Sequence, residues 1–581
     1  MYHTSREVYE FISKKTNDPI VEWKVCAVSG ESFPIYQSDL GFYAKISPTF
    51  AGQKFMIPTP TLCPEERHRR RLAFRNERKL YKRKCDFSEK DMISMYINPL
   101  YRAYDQKVRR SDARDAMSYG REFDFSKNFG ENFSSLYLDI PKCAINNDNS
   151  INSDYCNPSQ NNKDCYLCHG AAGDENCLYC VGVEKSSYCV DGLSLFECEW
   201  SYNCVDDHLG HNNTSCFNTH GCSNCISVKN ATGCHDCMFS VWLSNKSYMI
   251  CNTQYTKEDY LTRKESIIHD PVIYQQYTVS YQELLNQTYE VCMHIEKSEN
   301  AIGDYINNSK NVLFSYDVNN SEEVKYTRSA RNQAESCYDV SYHKNSSLQL
   351  ESASVVTQHN TPFTMFCRDS QSTYYSSDCH YVTDCFGCVG LRHKQYCIFN
   401  TQYTKEEYEK EIAKIITHMI ETKEWWEFFH PSLSPFGYNE TIAHEYFPLS
   451  KNDALDTWFS RSDYNSDVVI PAWVEVINWK TNHNIAWLTD EQLLAKIYIC
   501  EVTDRPYRLV KPELEFYRKH HLPLPRRHPD QRHADRMALR PPRELHLRKC
   551  DKTGEEIISV YLPNTPFKVY SEEAYRQEVF W

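Results

Sequence analysis

The sequence Cys165-Tyr-Leu-Cys168-His-Gly-Ala-Ala-Gly-Asp-Glu-Asn-Cys177-Leu-Tyr-Cys180 decides the fold, because it repeats a Cys-x-x-Cys pair after twelve residues. The surrounding segment 161–252 holds thirteen of the 27 cysteines and keeps returning to this spacing. A short fixed period indicates one small unit stacked on copies of itself, since a single unit cannot bury its own apolar face. Twelve residues are too few for a helix pair, and the interleaved turn residues favour short strands. We therefore predict a β-solenoid whose coil holds either 12 or about 24 residues.

The end of this segment is duplicated further along the chain. The sequence Asn252-Thr-Gln-Tyr-Thr-Lys-Glu-Asp-Tyr260 returns 148 residues later as Asn400-Thr-Gln-Tyr-Thr-Lys-Glu-Glu-Tyr408. In both copies the second threonine precedes an acid by three residues, which is the spacing of a capping box at the start of a helix. The duplication predicts two solenoids, each closed by a helix. The predicted segments are a first solenoid at 141–255, capping helices at 256–296, a second solenoid at 297–403 and a helical, aromatic cap at 404–470.

The segment 23–125 contains two half-preserved cysteine pairs, Cys26-x-x-Ser29 and Cys63-Pro-Glu-Glu66. This arrangement resembles the "probable zinc-ribbon" treble-clef family, in which two Cys-x-x-Cys pairs supply four thiolates to one zinc ion. Serine and glutamate stand where the resemblance implies the second cysteine of each pair. We therefore predict a degenerate double zinc-ribbon that holds no metal, and no cofactor elsewhere in the chain.

A related pattern at 471–581 predicts a C-terminal degenerate ribbon pair, and residues 1–22 are predicted to form an N-terminal helical segment. The predicted fold is therefore mainly β, with two β-solenoid modules each closed by a helix and flanked by degenerate zinc-ribbon/treble-clef α+β domains. This order of segments resembles uncharacterised Cys-rich repeat proteins of candidate-phyla bacteria. The resemblance covers nearly the whole chain and implies no particular activity.

The segment 67–84, RHRRRLAFRNERKLYKRK, is the most basic part of a chain whose formal net charge is -13. We predict that it forms one helix with a basic stripe, opposite a face that packs through Ala73, Phe74, Leu80 and Tyr81. A local reversal of charge of this kind is typical of phosphate binding. The candidate nucleic-acid-binding residues are Arg67, Arg69, Arg70, Arg71, Arg75, Arg78, Lys79, Lys82, Arg83 and Lys84.

These observations favour a non-enzymatic binding protein that engages RNA or a ribonucleoprotein surface through the basic helix. The first alternative is a structural or assembly protein whose solenoid stacks with itself or with a partner protein. The second alternative is a carbohydrate-active β-solenoid enzyme, which would need two carboxylates converging within roughly 5–10 Å. No phosphate-binding loop, nucleophile elbow or metalloprotease motif supports catalysis, so we predict no catalytic residues.

The cysteines indicate the compartment. The N-terminus lacks the apolar core of a secretory signal, and no apolar run approaches the roughly 20 residues of a membrane span. We therefore expect a cytoplasmic protein with no membrane partner and with reduced thiols. In that setting, cysteines that recur in register along a repeat are predicted to point inward as small apolar side chains.

Overall fold

The computed structural model describes residues 2–111, 115–464, 470–481 and 488–579. More of them lie in strands than in helices, so the predicted mainly-β class is confirmed. The chain forms two compact units, each of which joins segments that are distant in sequence. Unit 1 comprises Met1–Ile145, Glu290–Ser462 and Pro542–Tyr575, and unit 2 comprises Asn146–Tyr289, Asp463–Pro541 and Arg576–Trp581. None of the described helices combines the length and the apolar character that a membrane crossing requires.

The N-terminal part of unit 1 consists of small hairpins and helices. Strands β1–β2, β3–β4 and β5–β6 pair as antiparallel hairpins, and β7 pairs in parallel with β8. The elements are α1 (Arg6–Thr16), β1 (Ile20–Val25), β2 (Ser32–Tyr36), α2 (Gln37–Ile46), β3 (Thr49–Phe50), β4 (Gln53–Lys54), α3 (Pro64–Leu72), β5 (Tyr81–Lys84), β6 (Asp91–Ser94), β7 (Ala103–Tyr104), α4 (Gln106–Arg110), α5 (Phe129–Asp139) and β8 (Lys142–Cys143).

The predicted continuous helix over 67–84 is wrong. Helix α3 ends at Leu72, and the chain re-enters regular structure only as strand β5 at Tyr81. The side chain of Asn76 holds the intervening turn, because its Oδ1 accepts a hydrogen bond from the Lys79 amide at 3.0 Å and its Nδ2 donates to the Lys79 carbonyl at 2.8 Å. Asparagine competes with helical hydrogen bonding in this way. The basic run is therefore a helix, a turn and a strand.

Unit 2 is built around a parallel ladder. Its parallel strands pair at an offset of twelve residues, as Leu193 does with Val205 and Val205 with Phe217. The elements are β9 (Asn147–Asp148), β10 (Ser159–Gln160), β11 (Ala171–Ala172), β12 (Leu193–Phe196), β13 (Val205–His208), β14 (Phe217–His220), β15 (Ile226–Thr232), β16 (His235–Ser244), β17 (Ser247–Ile250), β18 (Thr253–Gln254), α6 (Lys257–His269) and α7 (Pro271–Asn286).

Unit 1 contains a second parallel ladder with the same step. Its offset is twelve residues except at two irregularities, where Ile302 pairs with Leu313 and Val324 pairs with Cys337. The elements are β19 (Tyr289–Val291), β20 (Ile295–Glu296), β21 (Glu299–Asn307), β22 (Lys310–Asn319), β23 (Glu322–Lys325), β24 (Arg328–Arg331), β25 (Glu335–Lys344), β26 (Ser347–His359), β27 (Arg368–Tyr374), β28 (Thr383–Phe386), β29 (Gln395–Ile398), β30 (Thr401–Gln402), α8 (Lys405–Glu421), α9 (Ile442–Tyr446) and α10 (Lys451–Asp456).

The C-terminal part is divided between the two units. Its elements are β31 (Val476–Asn478), α11 (Asp490–Ala495), β32 (Ile497–Ile499), β33 (Pro506–Tyr507), α12 (Lys511–Lys519), α13 (Pro529–Met537), β34 (His546–Lys549), β35 (Glu556–Ser559), β36 (Lys568–Tyr570) and α14 (Glu572–Val579).

A three-residue conformational repeat produces the twelve-residue step. From Asn161 to Cys251 every third residue has a positive φ, and the residue after each of these is buried, except at the last rung, where Lys246 and Asn252 are exposed. Four such triplets make one rung, since the Tyr166 amide donates to the Cys177 carbonyl at 3.0 Å and the Tyr179 amide donates to the Tyr166 carbonyl at 2.9 Å. The left-handed conformation costs most residues about 1–2 kcal/mol, and Asn, Asp and Gly tolerate it best. This explains the many Asn, Asp and Gly residues in the ladders.

The inward positions of the first ladder are filled largely by thiols. Cys165, Cys177 and Cys189 occupy equivalent places in successive rungs and are at most 2% exposed. Every described cysteine is free, and all are buried except the half-buried Cys251. The prediction of inward, unpaired thiols is therefore confirmed. Their sulfurs also donate weak hydrogen bonds to carbonyls, as Cys177 does to Glu175 at 3.5 Å.

This hydrogen bond leads to a prediction about Cys177. In the second ladder Ser315 occupies an inward position, and its Oγ donates to the carbonyl two residues back at 2.9 Å, as the cysteines do. We therefore expect Cys177→Ser to lower the free energy of unfolding by less than about 1 kcal/mol. Cys177→Ala should cost about 1–2 kcal/mol, because it leaves a void. Urea unfolding of both variants measures the difference. A larger loss of stability for serine than for alanine would show that a hydroxyl cannot replace the thiol at this inward position.

Both ladders end in the same way. Strands β17 and β29 each pair with a two-residue antiparallel strand, β18 or β30, and a helix follows. At α8 the predicted capping box is present, with reciprocal bonds between Thr404 and Glu407. One apolar face of α8 is also buried, and it includes Tyr408, Ile412, Ile415 and Met419. A ladder edge paired in this way offers no free strand to a further chain.

Candidate functional site

The basic run is largely buried. Arg67, Arg69, Arg71 and Arg75 are each at most 7% exposed, and their guanidinium groups contact residues of unit 1. A phosphate could reach these groups only by displacing the contacts that hold them. The structure thus brings the predicted nucleic-acid-binding arginines together, but it places them inside the molecule.

The centre of this arrangement is an ion-pair network between α3 and the second ladder. Arg67 Nε donates to Asp339 Oδ1 at 2.9 Å, and Arg71 Nη1 donates to Glu351 Oε2 at 2.8 Å. Arg71 Nη2 also lies 3.4 Å from Asp339 Oδ1. Burial raises the pKa of Glu351, whereas the charges of Arg71 and Arg67 act to lower it.

The spacing of the network follows from the geometry of helix α3 and of the second ladder. Asp339 on β25 and Glu351 on β26 are twelve residues apart and hold equivalent left-handed positions on neighbouring rungs. Neighbouring strands lie about 4.8 Å apart, and residues four apart on a helix are separated by about 6 Å along its axis. Two arginines spaced i, i+4 can therefore match two stacked carboxylates.

The other residues of the run have separate positions. Arg69 pairs with Glu66, Arg70 with Glu427, Arg75 with Glu77, Arg78 with Glu445 and Arg83 with Asp86. The Arg75 guanidinium also lies 3.9 Å from the centre of the Tyr342 ring. Lys79 is half-buried, and Lys82 and Lys84 on β5 are exposed. Of the ten candidates, these last two point into solvent.

Unit 2 contains a counterpart of the network. The sequence His528-Pro-Asp-Gln-Arg532-His-Ala-Asp-Arg536 of α13 matches Cys63-Pro-Glu-Glu-Arg67-His-Arg-Arg-Arg71 of α3. Arg532 pairs with Asp191 of the first ladder, and Arg536 Nη1 lies 3.0 Å from the same carboxylate. Asp191, like Asp339, has a positive φ on the ladder. Each unit therefore fixes a short helix to its ladder through two buried arginines spaced i, i+4.

Asp206 and Asp207 of the first ladder do not form a hydrolytic pair. Asp207 is fully buried among the inward side chains, where Thr219 Oγ1 donates to it at 2.8 Å and Asn213 Nδ2 donates at 3.1 Å. Burial raises its pKa. The neighbouring Asp206 points outward and accepts a hydrogen bond from Arg540 at 3.0 Å. These two carboxylates therefore do not face a common substrate, as glycoside hydrolysis requires.

Four hairpins of similar geometry each carry a cysteine directly after their first strand. In each, the cysteine carbonyl accepts a hydrogen bond from the amide four residues later, and the cysteine amide donates to the carbonyl five residues later. The four cysteines are Cys26, Cys85, Cys500 and Cys550. Backbone amides also donate to three of the sulfurs, as Asp105 does to Cys85 at 3.3 Å.

The Cys26 hairpin differs from the others because the side chain of a second cysteine, Cys63, lies beside it. Cys63 precedes α3, and the interaction with its side chain lowers the pKa of the Cys26 thiol to about 4. His3 and Glu65 lie beside Cys63, and sequence analysis considered neither. Neither residue stands at a position of the Cys-x-x-Cys pattern, so no spacing signal pointed to them.

Comparison of the chain with protein-family models and with curated proteins gives no match.

Proposed function

We propose that the chain is a non-enzymatic assembly protein in which two β-solenoids carry ribbon-like domains and a second copy of the chain is the partner. The twelve-residue register of both ladders supports a solenoid coil of twelve residues. The hairpins at Cys26, Cys85, Cys500 and Cys550 support the ribbon-like interpretation of the flanking segments. The internal neutralisation of Arg67 and Arg71 favours assembly over RNA binding through the basic run.

The observation that carries this proposal is a set of exposed apolar side chains on the two helices that follow the first ladder. Leu261 and Ile268 on α6 are 45% and 38% exposed, and Val272 and Val279 on α7 are 68% and 50% exposed. Both pairs have the i, i+7 spacing that repeats one face of a helix. The packed side of α7 lies elsewhere on the helix, where Tyr274 and Tyr277 contact Phe239 of the ladder.

Charge favours a second copy as the occupant of this surface. Helix α6 has the sequence KEDYLTRKESIIH, with three basic and three acidic residues, so both signs of charge surround its apolar pair. Two copies of a chain with a net charge of -13 can meet at such a neutral surface without strong like-charge repulsion. A two-fold pairing uses the same patch on both subunits and therefore needs no other partner.

Light scattering of the full chain across a concentration series tests the proposal. We expect a dimer, and we expect the double variant Leu261→Glu/Val279→Glu to raise the dimer dissociation constant about 100-fold or more, because like charges would then face each other. Gln53→Glu, at an exposed polar position on β4 and on neither of these helices, is the control and should leave the dimer intact.

A chain that stays monomeric at every concentration would overturn self-association. Titration with RNA would then test the alternative proposal, which is RNA binding. Affinity for unrelated single strands that falls with salt, at a log–log slope of about -0.7 per phosphate, would indicate RNA binding. If Lys82→Gln/Lys84→Gln flattened that slope, the exposed end of the basic run would be the contact.

A further inference from the structure

Three side chains able to bind a metal converge at the start of α3. The Nδ1 of His3, the Sγ of Cys63 and a carboxylate oxygen of Glu65 all lie within 4.8 Å of one another. His3 Nδ1 and Cys63 Sγ are 3.6 Å apart. A tetrahedral zinc ion with a Zn–S bond of about 2.3 Å and a Zn–N bond of about 2.0 Å separates the two donors by about 3.5 Å. The observed distance therefore suits a shared ion.

The carboxylate of Glu65 supplies independent evidence for a ligand. Its Oε1 accepts hydrogen bonds from the Thr4 amide at 3.2 Å and from the Thr4 hydroxyl at 2.6 Å. Its Oε2 is buried and has no hydrogen-bond partner. A buried carboxylate oxygen without a partner is costly, and buried polar groups are normally satisfied. A cation bound beside Cys63 would supply the missing interaction.

A further thiol lies in the first hairpin. Cys26 follows β1, the turn that it begins contacts Cys63 through the Ser29 hydroxyl, and both cysteines are 2% exposed. The other positions of the ribbon pattern do not contribute. Glu66 pairs with Arg69, and Ser29 contributes only a hydroxyl 3.8 Å from the Cys63 sulfur.

We propose that His3, Cys26, Cys63 and Glu65 bind one divalent ion of the zinc class. Two sulfurs, one imidazole nitrogen and one carboxylate oxygen form a donor set that zinc accepts in tetrahedral geometry. Calcium and magnesium require oxygen donors and are not suited to it. The ion would tie the N-terminal segment before α1 to the start of α3, so metal binding would also stabilise this part of unit 1.

Metal analysis of the full chain, purified under reducing conditions and reconstituted with Zn²⁺ or Co²⁺, tests the site. We expect one ion per chain and, with Co²⁺, the absorption of a thiolate-bound, tetrahedral ion. His3→Ala and Glu65→Gln should each weaken Zn²⁺ binding about 100-fold or more in competition with a chelator, since loss of an outer-shell partner alone costs about 10–100-fold. His3 precedes the first helix, so its replacement should leave the fold intact.

Two matched controls separate this site from adventitious binding. Cys85→Ser removes the cysteine of the second hairpin, and His211→Ala removes an exposed histidine of the first ladder, so neither should change the stoichiometry. The proposal is overturned if the folded wild-type chain takes up no stoichiometric Zn²⁺ or Co²⁺. It is also overturned if His3→Ala and Glu65→Gln keep the affinity of the wild type.

Discussion

Replacing Arg71 by alanine is expected to lower the free energy of unfolding by about 3–5 kcal/mol, because it leaves two buried carboxylates with too little positive charge. Arg71 is fully buried and contacts both Asp339 and Glu351. Arg67 alone would then face both acids. Urea unfolding of Arg71→Ala, followed by circular dichroism, measures the loss. The same variant should lose less stability at low pH, where Glu351, whose pKa is raised by burial, becomes protonated and no longer needs the missing charge.

The control for this prediction is Lys84→Ala. Lys84 belongs to the same basic run, but it is exposed and lies 3.4 Å from an exposed carboxylate of Asp91. Exposed pairs contribute about 0–1 kcal/mol, so this variant should stay close to the wild type. Equal stability of the two variants would mean that Arg71 is not buried in an ion-pair network, and the basic run would again be available to a phosphate partner.

The ladders were predictable because their information is local and periodic. The spacing of Cys165, Cys168, Cys177 and Cys180 indicated the twelve-residue step, and Thr404 indicated the start of α8, since a cap depends on residues three apart. The same spacing did not determine the length of the coil. Similar side chains recur every twelve residues whether twelve residues form a whole coil or half of a longer one. The hydrogen bonds between neighbouring strands show the twelve-residue offset directly.

The placement of the basic run was not predictable by the same reasoning. The partners of Arg67 and Arg71 lie about 270 residues away in sequence, on left-handed positions that no periodicity singled out as acceptors. A run of arginines has the same pattern whether it meets phosphates or buried carboxylates. The local signal that was overlooked is Asn76, a residue that favours turns and that separates α3 from β5.

The candidate metal ligands could also be predicted only in part from the sequence. Cys26 and Cys63 could be found from the ribbon pattern, but His3 belongs to a segment that precedes the pattern and Glu65 stands one residue before the expected position. A search restricted to the Cys-x-x-Cys spacing therefore finds two donors and predicts no closed site. Three-dimensional proximity adds the other two.

Gly303→Ala is expected to lower the free energy of unfolding of unit 1 by about 3–5 kcal/mol, from strain of about 1–3 kcal/mol and overpacking of similar size. The register of the second ladder changes at this residue, since Ile302 pairs with Leu313 but Gly303 pairs with Ser315. Gly303 adopts a φ of +154°, and a Cβ there would lie 1.8 Å from the Ser315 carbonyl oxygen.

The clash cannot be relieved by a rotamer change, because the atom in contact is backbone of the neighbouring rung. Gly41→Ala is the matched control, since Gly41 lies in the middle of α2 with nothing within 4 Å of its added Cβ. There alanine should stabilise the protein by about 0.5–1 kcal/mol, through its higher helix propensity. Urea unfolding monitored at the tyrosines compares the two variants. A loss for Gly303→Ala no larger than about 1 kcal/mol would show that the ladder tolerates a side chain at this step, and glycine would then not be what permits the change of register.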